Sequence, residues 1–171
     1  GTVLQVISPI NTAMNTASLE LCDRVIACSA FVRDTHARVV PESKISIARW
    51  GVDTERFHPG EKYDKFTIVF SGGDPIRKGL IYLLRAVSAL PREIDLRVIV
   101  VGCKPGIGDP RFQELGMVPF DQVAEIYRRS HVIVIPTLED GIACCIQEAM
   151  ASGAVPITTK EAAEVFTDGV S

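Results

Sequence analysis

Four runs dense in Val and Ile mark the last two-thirds of the chain: FTIVFSGG at 66–73, LRVIVVG at 96–102, HVIVIPT at 131–137 and VPITT at 155–159. Short continuous apolar runs bounded by Gly or Pro suit strands covered on both faces, the situation in parallel sheets. Between them the apolar period changes from continuous to helical. Leu80, Leu83, Leu84 and Val87 fall at i, i+3, i+4 and i+7 after Lys78-Gly79, and Val123, Ile126 and Tyr127 form a similar stripe after Phe120-Asp121. A third helix is predicted over Ala143 to Ala151, stopped at Gly153 because glycine accepts the left-handed conformation that ends helices. Strand and helix alternate, so the pattern is that of βαβ units.

Residues 1–58 carry a weaker pattern. It predicts strands at Val3–Ser8, Val25–Cys28 and Ile45–Arg49, with helices over Thr16–Leu21 and about Phe31–Val40. PGEKYDK at 59–65 combines Pro, Gly and four charges and reads as a linker, which places a boundary between 1–58 and 59–171. The chain starts at Gly1 rather than Met and stops at Ser171, just after the apparent start of a helix over Glu161–Phe166, so the expectation is a piece of a longer protein.

Composition narrows the partners. Eighteen Lys and Arg against 21 Asp and Glu give a net charge of −3, too little basic charge to draw in nucleic acid broadly, so any anion site must be local. No apolar run is long enough to span a membrane, and the N-terminus is not signal-like. Cys22, Cys28, Cys103, Cys144 and Cys145 are odd in number and lack CxxC spacing, which argues against a disulfide framework or zinc and for reduced, buried thiols in the cytoplasm. His36, His58 and His131 show no metal spacing, and His131, opening a buried strand, reads as structural. The GxG in CKPGIGDP lacks the third glycine of a dinucleotide fingerprint and reads as a turn.

Candidate chemistry concentrates in Thr137–Ile157. A strand ends at Pro136, a short acidic loop follows, and a helix begins near Ala143 whose first N–H groups have no helical partner. Such amides hold anions, and Gly141 allows a ligand close to the backbone. Asp140 stands at the mouth of this site, and Glu148 lies roughly 7 to 8 Å further along the helix than Ala143. Singly, Asp140 reads as a helix cap and Glu148 as a solvated surface charge. Two carboxylates around an anion site make sense together if the ligand has hydroxyls on both sides of a diphosphate, because an ionised carboxylate only accepts hydrogen bonds. A nucleotide sugar has that layout. In SGGDPIRKG, from Ser71, a second strand runs into Gly72 and Gly73 and then to Arg77 and Lys78 before a helix. In a parallel sheet both loops leave the same carboxyl edge, so Arg77 and Lys78 are placed to supply the positive charge that a diphosphate needs.

These segments, in this order, resemble the C-terminal half of family 4 glycosyltransferases, which are retaining enzymes of the GT-B fold. DGIACCIQEAMASGAVPI at 140–157 is similar to the family's acidic residue, GFG, second acid and AMA.G.PVI, and FSGGDPIRKG at 70–79 to its strand–loop–KG segment. CDRVIACSAFVRD, ISIARWGVDTERFHPG and ELGMVPFDQVAEIYRRSHVIVIPT look like three further family segments, so the likeness spans nearly the whole chain. The resemblance implies a Rossmann-like α/β domain, a parallel sheet with flanking helices, that binds a nucleotide-sugar donor. It puts Asp140 on the transferred sugar, Glu148 on the ribose, Lys78 on the diphosphate, and the amides of Gly141, Ile142 and Ala143 against sugar and phosphates. Met117 and Val118 fall in the loop near which the nucleobase docks. The implied mechanism uses no enzyme nucleophile, metal or other cofactor. The acceptor, a sugar or lipid-linked sugar, would be held by an N-terminal domain mostly absent here, leaving this fragment able to bind donor but not to transfer it, and the full-length enzyme cytoplasmic or peripheral at the inner membrane face.

The sequence also departs from the family pattern. Asp stands at 140 where Glu is commoner, GIA replaces GFG, Gly72 and Gly73 occupy the place of the usual arginine with Arg77 as its substitute, and KEAAEVF leaves Glu164 as the one match to GG.pE. Trp50 stands where Asn is usual. Two other readings therefore stay open: a non-catalytic donor-binding or interaction module, and a GT-B relative such as a sugar-nucleotide epimerase or a phosphorylase.

Overall fold

The structure is a computed structural model that describes residues 9–162, with the backbone alone at 9–12 and 161. The predicted strand Val3–Ser8 and Glu164 lie outside the described residues. One compact unit ends at Trp50 and the other begins at Gly51.

The first unit contains α1 (Pro9–Leu21), β1 (Val25–Ala27), α2 (Ala30–His36), a 3-10 turn at Glu42–Lys44 and β2 (Ile45–Ile47). β1 and β2 pair in parallel, Val25 opposite Ile45. Ser29 caps α2 by accepting the Val32 N–H at 3.2 Å. α1 begins seven residues before the predicted Thr16, because the Asn and Thr residues of its first turns are poor helix formers that hid it, while Pro is tolerated at a helix start. α2 stops at His36 rather than Val40: the β-branched pair Val39-Val40 precedes Pro41, which disfavours helix in the residue before it.

The second unit holds the main sheet. Its elements are β3 (Phe66–Ser71), α3 (Leu80–Ala89), β4 (Leu96–Val101), β5 (Phe112–Gly116), α4 (Phe120–Arg129), β6 (Val132–Ile135), α5 (Cys144–Ala151) and β7 (Val155–Thr158). All five strands are parallel in the order β5-β4-β3-β6-β7. The four apolar runs are β3, β4, β6 and β7, each ending one or two residues short of the predicted span. β5 was not predicted, because an edge strand paired on one side needs no continuous apolar run, and FQELG has none. Where a helix was expected from Glu161, the described residues show a 3-10 turn at Lys160–Ala162.

Burial follows the periodicity. Val69, Phe70, Val98, Val100, Ile133 and Ile135 form the sheet's core, with Leu80, Leu83 and Val87 of α3 and Ile146 and Ala149 of α5 packed on it. Each fully buried aliphatic side chain contributes roughly 1.5–3 kcal/mol, so the stripe 80–83–87 alone holds α3 down. α5 ends as predicted: Gly153 takes φ 79° while its N–H bonds Met150 O and that of Ala154 bonds Ala149 O.

The charged stretch at 59–65 is packed rather than extended. Lys62 Nζ donates to the carbonyls of Arg128 (3.0 Å), Ser130 (2.8 Å) and Ser152 (3.4 Å), closing the C-terminal ends of both α4 and α5. Tyr63 lies between the guanidinium groups of Arg97 and Arg129, each 4.3 Å from its ring. Phe57, just upstream, is buried against Phe120 and Tyr127.

Candidate functional site

In the strand order of this sheet the chain runs outward from β3 through β4 to β5, then returns to β6 on the other side of β3. Adjacent strands whose connections leave in opposite directions open a crevice at their carboxyl ends, the place where open α/β sheets bind ligands. The loops after β3 and after β6 flank that crevice, and they are the two loops that carry the predicted chemistry.

The β3–α3 loop is a tight turn. Asp74 Oδ1 accepts the N–H groups of Ile76 and Arg77, both at 3.1 Å, and Gly79 turns the chain into α3 with φ 73°. A Cβ at Gly79 would lie 1.9 Å from the Pro136 carbonyl oxygen, so only glycine lets this loop close against the end of β6. The contact continues: the Leu138 N–H donates to Arg77 O (2.9 Å), and the Thr137 hydroxyl faces Arg77 O (3.1 Å) and Glu139 O (3.0 Å). Thr159 Oγ1 in turn donates to Thr137 O at 2.6 Å. Three segments are thus stapled through one buried threonine.

Lys78 bends back over Gly72, where a Cβ would sit 2.8 Å from Lys78 Cγ; glycine there makes room for the lysine stem. Its ammonium forms a short hydrogen-bonded ion pair with Asp140 Oδ2, and both side chains are largely buried. Arg77 Nη1 approaches the same carboxylate oxygen at 3.9 Å and donates to Glu139 O at 3.1 Å. Asp140 does not cap α5, whose cap position is Ala143 without a side-chain bond. Gly73 has the Gly102 carbonyl oxygen as its nearest neighbour, 3.9 Å from where a Cβ would be, at the same edge of the sheet.

Ahead of α5, Cys144 turns its N–H onto Ile142 O at 3.2 Å. Among the described residues no acceptor meets the amides of Gly141, Ile142 or Ala143, although Ile142 and Ala143 are buried. Amides without acceptors ahead of a helix suit a ligand that supplies them.

Glu148 lies on α5 half-buried, and among the described residues its carboxylate has no hydrogen-bond or ion-pair partner. Burial raises its pKa above the ordinary 4.5. Burial, foremost, pushes the Cys145 thiol in the first turn of α5 up to about 11, with Lys78 pulling it down and Asp140, Glu148 and Cys144 pushing it up. Tyr127 is buried, its hydroxyl donating to Ser71 Oγ at the end of β3 (2.7 Å), and burial, foremost, raises its pKa above the ordinary value.

Of the predicted residues, Gly72, Arg77, Lys78 and Asp140 stand together, with the 141–143 backbone following Asp140 in the chain and Glu148 on α5 beyond it. Met117, highly exposed, and Val118 follow β5 on the carboxyl edge, two strands out from β3, and among the described residues no hydrogen bond or ion pair joins them to the group. Sequence reasoning missed Thr137, Tyr127 and Ser71, whose spacing carries no signal because their bonds span 56 to 60 residues. His131 is structural: its Nδ1 accepts the Thr67 N–H at 3.1 Å and its ring packs on Phe66. Among the described residues no three His, Cys, Asp or Glu side chains form a metal-binding group, and no helix is long and apolar enough to cross a membrane.

The five-stranded parallel sheet with flanking helices has the fold of the C-terminal domain of GT-B glycosyltransferases. Residues 65–171 match the family of glycosyl transferases group 1, and the chain belongs to it. It is 28% identical to the GDP-mannose:cellobiosyl-diphosphopolyprenol alpha-mannosyltransferase of Xanthomonas campestris, over 78% of this chain and 39% of that protein. It is 29% identical to the MMP alpha-(1->4)-mannosyltransferase of Mycolicibacterium hassiacum, over 75% of this chain and 34% of the relative. The chain therefore spans well under half the length of these curated relatives. Among solved structures it resembles sucrose-phosphate synthase from Thermosynechococcus elongatus (TM-score 0.77, 21% identity, 93% of this chain and 46% of the other). It likewise resembles WaaG, a glycosyltransferase involved in lipopolysaccharide biosynthesis (TM-score 0.77, 15% identity, 91% and 50%).

Proposed function

We propose that the chain is the donor-binding part of a retaining glycosyltransferase of family 4, taking a nucleoside-diphosphate sugar at the β3/β6 crevice. The observation that carries this reading is the free, half-buried carboxylate of Glu148 on the helix that the Lys78–Asp140 pair and the unmet amides lead into. A carboxylate held out of water without a donor is costly, and a vicinal diol supplies two donors. Glu148 takes the ribose hydroxyls, the amides at 141–143 and Lys78 take the diphosphate, and Asp140 takes a hydroxyl of the sugar. Met117 and Val118 line the base side.

In transfer, charge builds on the departing diphosphate. Lys78, Arg77 and the fixed amides stabilise it there without reorganising, which is where most catalytic advantage of such sites arises. At an effective dielectric of about 20 an ammonium 4 Å from a phosphoryl oxygen is worth about 4 kcal/mol before desolvation is subtracted. No protein nucleophile and no cofactor enter this scheme. Residues 1–58 belong to the preceding domain and its connection, the acceptor is a lipid-linked or free sugar, and the acceptor site lies mostly beyond these 171 residues. The Xanthomonas campestris relative is a GDP-mannose-dependent mannosyltransferase by name and the Mycolicibacterium hassiacum relative a mannosyltransferase, which makes GDP-mannose the first donor to try.

Titration of the chain with GDP-, UDP- and ADP-sugars tests the reading. One of them is expected to bind, and Glu148→Gln is expected to weaken it at least about tenfold, the equivalent of one charged hydrogen bond. Binding unchanged in Glu148→Gln, or absent from the wild type for all three bases, would overturn it.

A further inference from the structure

We propose that Asp140 makes this site select against a nucleoside diphosphate that has lost its sugar, because its carboxylate holds Lys78 whenever no sugar hydroxyl takes the lysine's place. The inference rests on the donor-site reading above. Its starting point is that the cations of the β3–α3 loop are already engaged. Lys78 is bonded to Asp140, with side chains 12% and 9% exposed, and Arg77 is shared between Asp140, the Glu139 carbonyl and Asp74, the last at 3.8 Å.

Asp140 has no other work in the described residues: it caps no helix, and Lys78 and Arg77 are its only partners. A diphosphate is purely an acceptor. If it draws Lys78 onto itself, the Asp140 carboxylate stays buried without its principal donor; if it shares the ammonium's three donors with Asp140, one cation faces two adjacent anions, and an under-compensated buried charge is strongly unfavourable. A donor that still carries its sugar brings hydroxyl groups, which donate to Asp140 as Lys78 leaves it. The exchange of partners is then balanced. Once the sugar has gone to the acceptor those hydroxyls go with it, Asp140 takes Lys78 back, and the nucleoside diphosphate is released.

Asn at position 140 keeps the shape and removes the claim on Lys78. In calorimetric titrations of the 171-residue chain with GDP, UDP and ADP and their sugar conjugates, Asp140→Asn is expected to bind the preferred nucleoside diphosphate at least about tenfold more tightly than wild type. The sugar conjugate gains less, so the preference for sugar-bearing nucleotide shrinks. In an Asp140→Asn/Lys78→Met double variant the gain is expected to vanish. Asp140→Ser, smaller and also neutral, repeats the measurement should the Asn variant not fold, with thermal unfolding as the check.

Unchanged or weaker diphosphate binding by Asp140→Asn, while Glu148→Gln and Lys78→Met still weaken the wild type, leaves the donor site standing and sinks the selection role. A gain that survives in the double variant also sinks it, since it would then come from removing negative charge alone. No binding of any of these nucleotides to wild type or variant overturns the donor-site reading and this inference with it.

Discussion

Glu148 is the residue whose chemistry is most exposed to pH. Burial raises its folded-state pKa above the unfolded value, so its protonated form is favoured by folding, and its contribution to stability is lost as pH rises through the raised pKa. Glu148→Gln is therefore expected to unfold at a higher temperature than wild type at pH 7, with the difference shrinking as pH falls below the ordinary carboxyl value of 4.5. Donor affinity moves the other way: ribose hydroxyls donate to the ionised group, so binding by the wild type falls as pH drops through the same window, and calorimetry at several pH values reads both effects. Gly79 sets the other residue-level limit. Alanine there carries about 1–3 kcal/mol for its left-handed conformation and in addition drives a Cβ into the Pro136 carbonyl. Gly79→Ala is expected to lower the urea midpoint markedly and to weaken nucleotide binding in what remains folded, because the displaced carbonyl belongs to the strand end that leads into Asp140.

At the level of elements, the crevice depends on α4 and α5 being anchored at the ends remote from it. Lys62 does this with one ammonium on three terminal carbonyls, and burial holds its pKa below the usual lysine value, so the carbonyls must replace the water it has lost. A cation at helix C-termini is worth up to about 2 kcal/mol in partly buried geometry. Lys62→Met is expected to destabilise by about 1–2 kcal/mol by urea unfolding while leaving the ratio of donor to diphosphate affinity unchanged. The alternation of strands and helices was legible from hydrophobic period alone, for β3, α3, β4, α4, β6, α5 and β7. β5 and the first turns of α1 were not, because one is an edge strand without an apolar run and the other is written in Asn and Thr. The segment at 59–65 misled through composition: charge and proline there signal a linker, yet Lys62 and Tyr63 are bound by partners from 34 to 90 residues away, contacts that no local window contains.

For the molecule as a whole, the short span against its relatives sets the expectation for activity. Incubated with a binding donor and a lipid-linked or free sugar acceptor, the 171-residue chain is expected to give no transfer above the no-enzyme rate, because on the proposed reading the acceptor site lies mostly beyond these residues; turnover above the no-enzyme rate would contradict this. The sequence by itself determined which residues carry charge, which glycines end strands and which runs must be buried, since these depend on side-chain chemistry and period. It placed Lys78, Asp140, the 141–143 amides and Glu148 as candidates for one ligand. Only the tertiary structure decided that the two loops meet, through a strand order that reverses at β3, and that Lys78 and Asp140 hold each other there. That pairing joins residues 62 positions apart across a sheet, and its energy exists only once folding has taken both groups out of water.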